Sequence, residues 1–136
     1  MIAIEPRILI ITADAASVSD GKLNLLGGGW TQISSGPSNF TVVVRIDIPY
    51  SMTDQQLPWQ LKLVDQDGRT YVPHELSDPV DISGDLHMDR PEHGDIAETF
   101  NAPMLFPFVG LPLAPGPYEW VFTFAGYQAK YGFRVF

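Results

Sequence analysis

Apolar and polar residues alternate along several short stretches of the chain, and the clearest of them covers residues 38–48. Its apolar residues all fall on one parity, while Thr41, Arg45 and Asp47 fall on the other; they are Phe40, Val42, Val44, Ile46 and Ile48. A period of two with β-branched side chains is typical of a strand that buries one face. This stretch therefore predicts a strand against a core.

Similar patterns predict the remaining strands. They lie at residues 8–12, 23–26, 30–33, 59–63, 69–72, 118–124 and 131–135. Two tight turns are predicted at residues 20–22 and 65–68, because Asp and Gly tolerate the positive φ angles that such turns need. One helical turn is predicted at residues 51–56. The 12 glycines and 12 prolines interrupt the chain too often for long helices.

About seven or eight short strands separated by turns predict an all-β fold. We expect an antiparallel β-sandwich with a small barrel as the alternative. Residues 113–118 resemble the turn that leads into a late core strand of immunoglobulin-like sandwiches, with Tyr118 entering the core, so we expect an immunoglobulin-like arrangement. The length of 136 residues suits a single domain spanning residues 1–136.

The charge balance narrows the classes of partner. The chain carries 8 Lys+Arg against 16 Asp+Glu, a net charge of −8, which argues against nucleic acid and against anionic membrane surfaces. It has no cysteine, which excludes disulfides and thiol chemistry. We find no signal-peptide pattern and no run of apolar residues that could span a membrane, so a cytoplasmic location is expected.

Half of the acidic residues lie within residues 75–98. They are Glu75, Asp78, Asp81, Asp85, Asp89, Glu92, Asp95 and Glu98. In a strand, Asp85, His87 and Asp89 would project from one face, and His93 follows at the next turn; such a set predicts a divalent metal site. The alternative is a strand edge whose charges prevent unwanted pairing, and this alternative is favoured.

An apolar stretch with three prolines follows at residues 100–113. Because proline removes an amide donor, part of it should be an extended edge or a loop. Its apolar side chains exceed what one loop normally exposes. We therefore predict that Met104, Phe106 and Phe108, with Leu105, Val109 and Leu111, form a surface for another protein or a second copy of the chain.

Other motifs favour structural roles. Gly27-Gly28-Gly29 lacks the Gly-Lys-Ser/Thr of a phosphate loop and is interpreted as a backbone corner before Trp30. Asp65-Gln66-Asp67-Gly68 lacks the closing Glu of a calcium loop. No Gly-x-Ser-x-Gly nucleophile motif occurs. Because these motifs are incomplete or absent, we predict no cofactor and no catalytic residue.

Three segments together resemble a known family. The opening strand is followed by Gly21-Lys22-Leu23 and Gly27-Gly28-Gly29-Trp30; later come Val64-Asp65-Gln66-Asp67-Gly68 and Pro115-Gly116-Pro117-Tyr118-Glu119-Trp120. This chain resembles a family of small uncharacterised bacterial proteins, a domain of unknown function, with a GKLxxxGGGW segment near the N-terminus. The resemblance implies a β-rich domain and no assigned catalytic residue.

Two functional hypotheses remain. The favoured one is a non-catalytic binding or assembly module that contacts another protein or itself. The alternative is a metal-dependent or hydrolytic enzyme that uses the acidic residues 75–98.

Overall fold

Nine strands form two facing sheets in the computed structural model, which describes residues 4–74, 77–95 and 98–136. The strands are β1 Arg7–Ser19, β2 Lys22–Gly28, β3 Gln32–Ile33, β4 Gly36–Pro49, β5 Gln56–Val64, β6 Asp81–His87, β7 Thr99–Leu113, β8 Gly116–Phe124 and β9 Tyr127–Val135. One sheet has the order β2-β1-β4-β7 and the other β3-β9-β8-β5-β6. The all-β sandwich is confirmed, and the sheets do not close into the alternative barrel.

The strand pairing is immunoglobulin-like. β4 pairs with β7 in one sheet, and β5, β8 and β9 are neighbours in the other, as strands B and E and strands C, F and G are in that fold. β1 continues the first sheet, whereas the two-residue β3 joins the second and runs parallel to β9. Compared with the immunoglobulin fold, the segment between β1 and β3 is an addition. It forms strand β2 and the turn that joins β1 to β2.

The core lies between the two sheets and is rich in aromatic rings. β4 contributes the alternating apolar residues that its sequence pattern predicts, and β8 contributes Trp120, Phe122 and Phe124, all without measurable exposure. Rings contact each other across the gap: the Phe40 and Trp120 centroids are 6.2 Å apart and those of Trp59 and Phe106 5.3 Å. The core therefore rests on aromatic packing between sheets, without disulfides.

The turn before β8 is a tyrosine corner. The hydroxyl of Tyr118 donates to the carbonyl of Ala114, four residues earlier, at 2.7 Å, and the ring stacks on Phe133. Nearby, the Tyr71 hydroxyl donates to the carbonyl of Pro112 at 2.7 Å. These two bonds fix the end of β7 and the entry to β8, which agrees with the immunoglobulin-like turn expected at residues 113–118.

The prolines of β7 explain how this apolar stretch forms a regular strand. Pro103, Pro107 and Pro112 stand opposite Arg45, Thr41 and Pro37, which are spaced four residues apart on β4. Because antiparallel pairs alternate between bonded and non-bonded, all three prolines take positions whose amide would point away from β4. A β-bulge keeps Pro112 in phase with the others. The expected extended edge is therefore a complete outer strand.

Two local expectations differ from the structure. Residues 69–72 do not form a return strand and make only an isolated bridge between Val64 and Thr70. The helical turn is a short 3₁₀ helix at Tyr50–Met52, and residues 56–64 already belong to β5. The turn at residues 65–68 does form, with the Gly68 amide donating to the Asp65 carbonyl at 3.0 Å. However, β5 already pairs with β6 on one side and β8 on the other, so the residues after the turn do not add a strand.

The β1–β2 hairpin turns back across the outer face of its sheet. β1 pairs with β4 only as far as Ala13, yet the Gly21 carbonyl at the hairpin tip accepts a bond from Asn101 Nδ2 at 3.1 Å. Asn101 lies at the opposite end of the sheet, beside Asp47, so a straight hairpin could not reach it. The bend explains why Ala13 and Val43 are buried although they point away from the core.

Candidate functional site

The acidic stretch is divided between β6 and the turns that follow it. Asp85 and His87 lie on β6, where they stand opposite Pro58 and Gln56 of β5. The strand ends at His87, so Asp89 is not on the regular alternation that the sequence predicts. Glu75, the first of the eight acids, lies outside the described residues.

One group of potential metal ligands is found among the residues that the structure describes. Asp54, His87 and Asp89 each offer an atom within 4.8 Å of the others. The group contains two of the four predicted ligands; Asp85 and His93 are not part of it. Asp54 was not predicted, because it is distant in sequence. The bond from its amide to the Met88 carbonyl, at 2.8 Å, brings it to the end of β6.

The protein places a cation of its own beside this group. The Arg90 backbone amide donates to Asp54 Oδ1 at 2.7 Å, and the Arg90 Nε atom is 3.9 Å from Asp54 Oδ2. The same guanidinium donates to Thr53 Oγ1 and lies over the Tyr50 ring, 4.6 Å from its centroid. Asp54 therefore has an internal partner, and Arg90 competes with any bound metal ion for it.

The ligand group lies on open surface. The side chain of His87 is 44% exposed and that of Asp89 is 96% exposed, with 3.4 Å between His87 Nδ1 and Asp89 Oδ1. Catalysis by such groups requires a site that excludes water and holds the side chains in place. This arrangement is thus compatible with a weakly held, hydrated cation and offers little for hydrolysis.

The residues predicted as a partner surface pack mainly within the chain. Met104, Phe106 and Phe108 are half-buried and contact the core. Phe108 lies 5.2 Å from the Trp120 ring centroid, and Phe106 lies against Trp59. These side chains therefore have an intramolecular role, and their contact with a second chain stays a prediction.

The most exposed apolar side chain of the same stretch is Val109. It is 86% exposed because it lies in the β-bulge, beside Gly110, whose amide donates to Asn39 Oδ1 at 2.7 Å. A single exposed residue of this kind is ordinary on a protein surface.

Three further apolar side chains are exposed on the β1–β2 hairpin. Leu26 is 70% exposed, Val18 42% and Leu25 41%. Ala15 and Ala16 stand opposite Leu26 and Leu25 and are too small to cover them. Val18 and Leu25 point to one face of the hairpin and Leu26 points to the other. We refer to these three side chains together as the hairpin surface. This exposure was not predicted from the sequence, although the adjacent leucines of a strand point to opposite faces and cannot both enter one core.

The glycine corner next to the hairpin borders a shallow depression. Its volume is about 490 Å³, and Asp14, Trp30, Gln32 and Ile33 line it together with the three glycines. Gly27 has a φ of +61°, and a Cβ atom there would collide with the Asp14 carboxylate. Trp30 packs its ring edge-on against Phe40 and Phe133. The three glycines thus form the predicted corner that leads from β2 to Trp30.

Comparison with known proteins gives a family and no activity. Residues 8–135 match the family described as "Family of unknown function (DUF6941)". No curated protein matches the sequence. Within the described residues, none of the helical structure is long and apolar enough to cross a membrane.

Proposed function

The chain belongs to DUF6941, a family of unknown function, and we propose that it is a non-catalytic interaction module that binds another protein chain through the hairpin surface. The observation that carries this proposal is the exposure of three apolar side chains on a single hairpin, with Leu26 at 70%. Burial of such side chains in a complex gains roughly 25 cal/mol for each Å² of apolar surface removed from water.

The form of the hairpin also supports an interaction role. Its tip is held by the bond between Gly21 and Asn101, and its base is fixed by the pairing of β1 with β4. The apolar side chains are consequently presented on a structure that is already ordered. A preorganised surface loses less conformational entropy on binding than a flexible loop.

The experiment compares Leu26→Asp with Val109→Asp in the full chain, expressed in its native cells and cross-linked before purification. Val109 is the matched control, because it is also exposed but lies on β7. We expect the wild type and Val109→Asp to cross-link to the same protein. Leu26→Asp should give little of that cross-linked complex. Equal cross-linking by Leu26→Asp would contradict the proposal.

The alternative function is cation binding at Asp54, His87 and Asp89, which is supported by their three ligand atoms within 4.8 Å. A bound ion that favours the native state raises the melting temperature. Thermal unfolding with Ca²⁺, Mn²⁺, Zn²⁺ or Ni²⁺ tests it, with His87→Ala as the variant and His74→Ala as the control. A rise that His87→Ala abolishes supports cation binding; no rise with any ion excludes it.

A further inference from the structure

The four outer strands of the two sheets are not equally protected against pairing with another strand. β3 has only two residues, β6 carries Asp81 and Asp85, and β7 has prolines at three of its outward amide positions. Short length, charge and proline are the usual means by which proteins block sheet edges. β2 has none of them beyond Lys22 at its first residue. Among the described strands, β2 is the open edge.

The turn of the hairpin determines which backbone groups of β2 are free. Asp20 and Gly21 have φ angles of 51° and 69°, as in a two-residue type I′ turn. Ser19 and Lys22 flank the turn as partners, the position at which a two-residue hairpin exchanges hydrogen bonds. Since bonded and non-bonded pairs alternate, Leu23 and Leu25 direct their amide and carbonyl groups away from β1. Two donors and two acceptors thus face outward in the middle of β2.

The geometry points to a second copy of this chain as the occupant: we infer that two β2 strands pair antiparallel about a two-fold axis and join the two sheets. This inference rests on the proposed function and names its partner. With Leu23 of one copy opposite Leu25 of the other, all four outward groups of each copy are bonded. Asn24 then faces Asn24 of the partner copy across the axis.

Charge repulsion between two copies is weak at this edge. Two chains of net charge −8 repel each other over most of their surface, but β2 carries a single charged residue, Lys22, and the rest of the paired hairpin, residues 13–28, adds only Asp14 and Asp20. In the register above, Lys22 stands opposite Leu26 of the other copy. The two lysines are then four residues apart along the strands, about 13 Å, which exceeds the screening length of about 8 Å at physiological ionic strength. Each Lys22 stem can cover the exposed Leu26.

The edge count also sets the size of the assembly. A chain with one open edge pairs once, and a two-fold contact uses the same surface on both copies, so that the assembly closes as a dimer. The blocked edges at β3, β6 and β7 prevent further growth into a filament.

Disulfide formation in purified full-length variants tests the register, because the natural chain contains no cysteine. Asn24→Cys places two thiols directly opposite each other in a non-bonded pair, with Cβ atoms about 4.5 Å apart, which a disulfide can span. Ser17→Cys is the control: it pairs with Asn24 inside the hairpin, is equally exposed, and lies one strand away from the edge. We expect oxidation to yield a covalent dimer for Asn24→Cys and monomer for Ser17→Cys.

The mass in solution gives the second readout. Sedimentation of the wild type across micromolar concentrations should give twice the chain mass, and Leu25→Lys should give the mass of one chain, while Val109→Lys stays dimeric. A wild type that is monomeric throughout, or equal cross-linking of the two cysteine variants, overturns the inference. If the wild type is monomeric but still captures a different protein through Leu26, self-pairing fails and the proposed interaction module stands.

Discussion

β2 and β7 are the two outer strands of the same sheet, and both are apolar, but the structure uses them differently. β7 faces the second sheet, where Phe106 and Phe108 contact Trp59 and Trp120. β2 lies in the hairpin that turns back across the outer face of the sheet, and its Leu25 and Leu26 are 41% and 70% exposed. The apolar character of a segment therefore does not identify an interaction surface. What matters is whether another sheet lies opposite.

The outer edges of the two strands also differ, in the backbone groups that they leave free for pairing. Prolines remove outward amide donors from β7, whereas Leu23 and Leu25 of β2 retain theirs. The end of β7 is further fixed by the hydroxyl groups of Tyr71 and Tyr118. β7 combines a packed face with a blocked edge, and β2 combines an exposed face with an open edge.

The largest expected difference between the two strands is in stability. Phe108→Ala on β7 should lower the free energy of unfolding by about 2–4 kcal/mol, because it leaves a cavity beside Phe40 and Trp120. Leu26→Ala on β2 should change it by less than about 0.5 kcal/mol, since Leu26 is mostly exposed. Urea denaturation of both variants measures the difference. Equal losses would show that β7 is not a core strand.

Alkaline pH tests the corner at the end of β7. Burial, followed by the neighbouring Tyr71, raises the pKa of Tyr118 from 10.0 to about 12. The folded protein therefore holds this proton above the pH at which the unfolded chain releases it. The contribution of protonated Tyr118 to the free energy of unfolding is complete below pH 10. It is lost as the pH rises through 12, at up to about 1.4 kcal/mol per pH unit.

The control for this pH effect is Tyr118→Phe, which has no proton to lose at that position. Denaturation of both proteins at pH 8 and at several values between pH 10 and 12 should show the wild type losing its advantage over the variant. A constant difference across that range would contradict the raised pKa.

At neutral pH, Tyr118→Phe should cost about 1–2 kcal/mol. It removes the hydrogen bond to Ala114 and leaves that carbonyl without its 2.7 Å donor. Tyr127→Phe, which alters an exposed tyrosine, is the matched control and should be close to neutral. Chemical denaturation distinguishes them. If both variants match the wild type, the corner does not stabilise the entry to β8.

Most of the fold could be predicted from periodicity and turn chemistry. The alternation at residues 38–48 identifies the central strand β4, and Pro115-Gly116-Pro117-Tyr118 identifies the corner before β8. The bend of the β1–β2 hairpin could not be predicted in this way. It depends on contacts between residues distant in sequence, such as Gly21 and Asn101, which no local pattern encodes.

The candidate sites were less predictable for the same reason. Strand alternation placed Asp85, His87 and Asp89 together, but β6 ends at His87, and Asp54 arrives from another part of the chain. For Met104, Phe106 and Phe108, apolarity alone could not distinguish a face covered by its own second sheet from one that a partner covers. The exposure of the hairpin was not predicted, although Leu25 and Leu26 carry a signal for it, because adjacent strand residues face opposite sides and cannot both enter one core.

The smallest expected change in stability comes from substitutions at the edge of β7. These substitutions also test most directly whether the edge of β7 is blocked while that of β2 is open. Pro103→Ala combined with Pro107→Ala returns two outward amide donors to β7, at a cost in stability of about 1 kcal/mol or less per site. It also creates a second open edge on each chain, so that a β2-paired dimer can grow into larger assemblies. Light scattering and thioflavin T fluorescence should both rise relative to the wild type.

Leu105→Ala is the control for this double variant, since it shortens a side chain on the same strand and adds no donor. An unchanged size distribution for the double variant, or equal growth for Leu105→Ala, would show that the prolines do not block this edge.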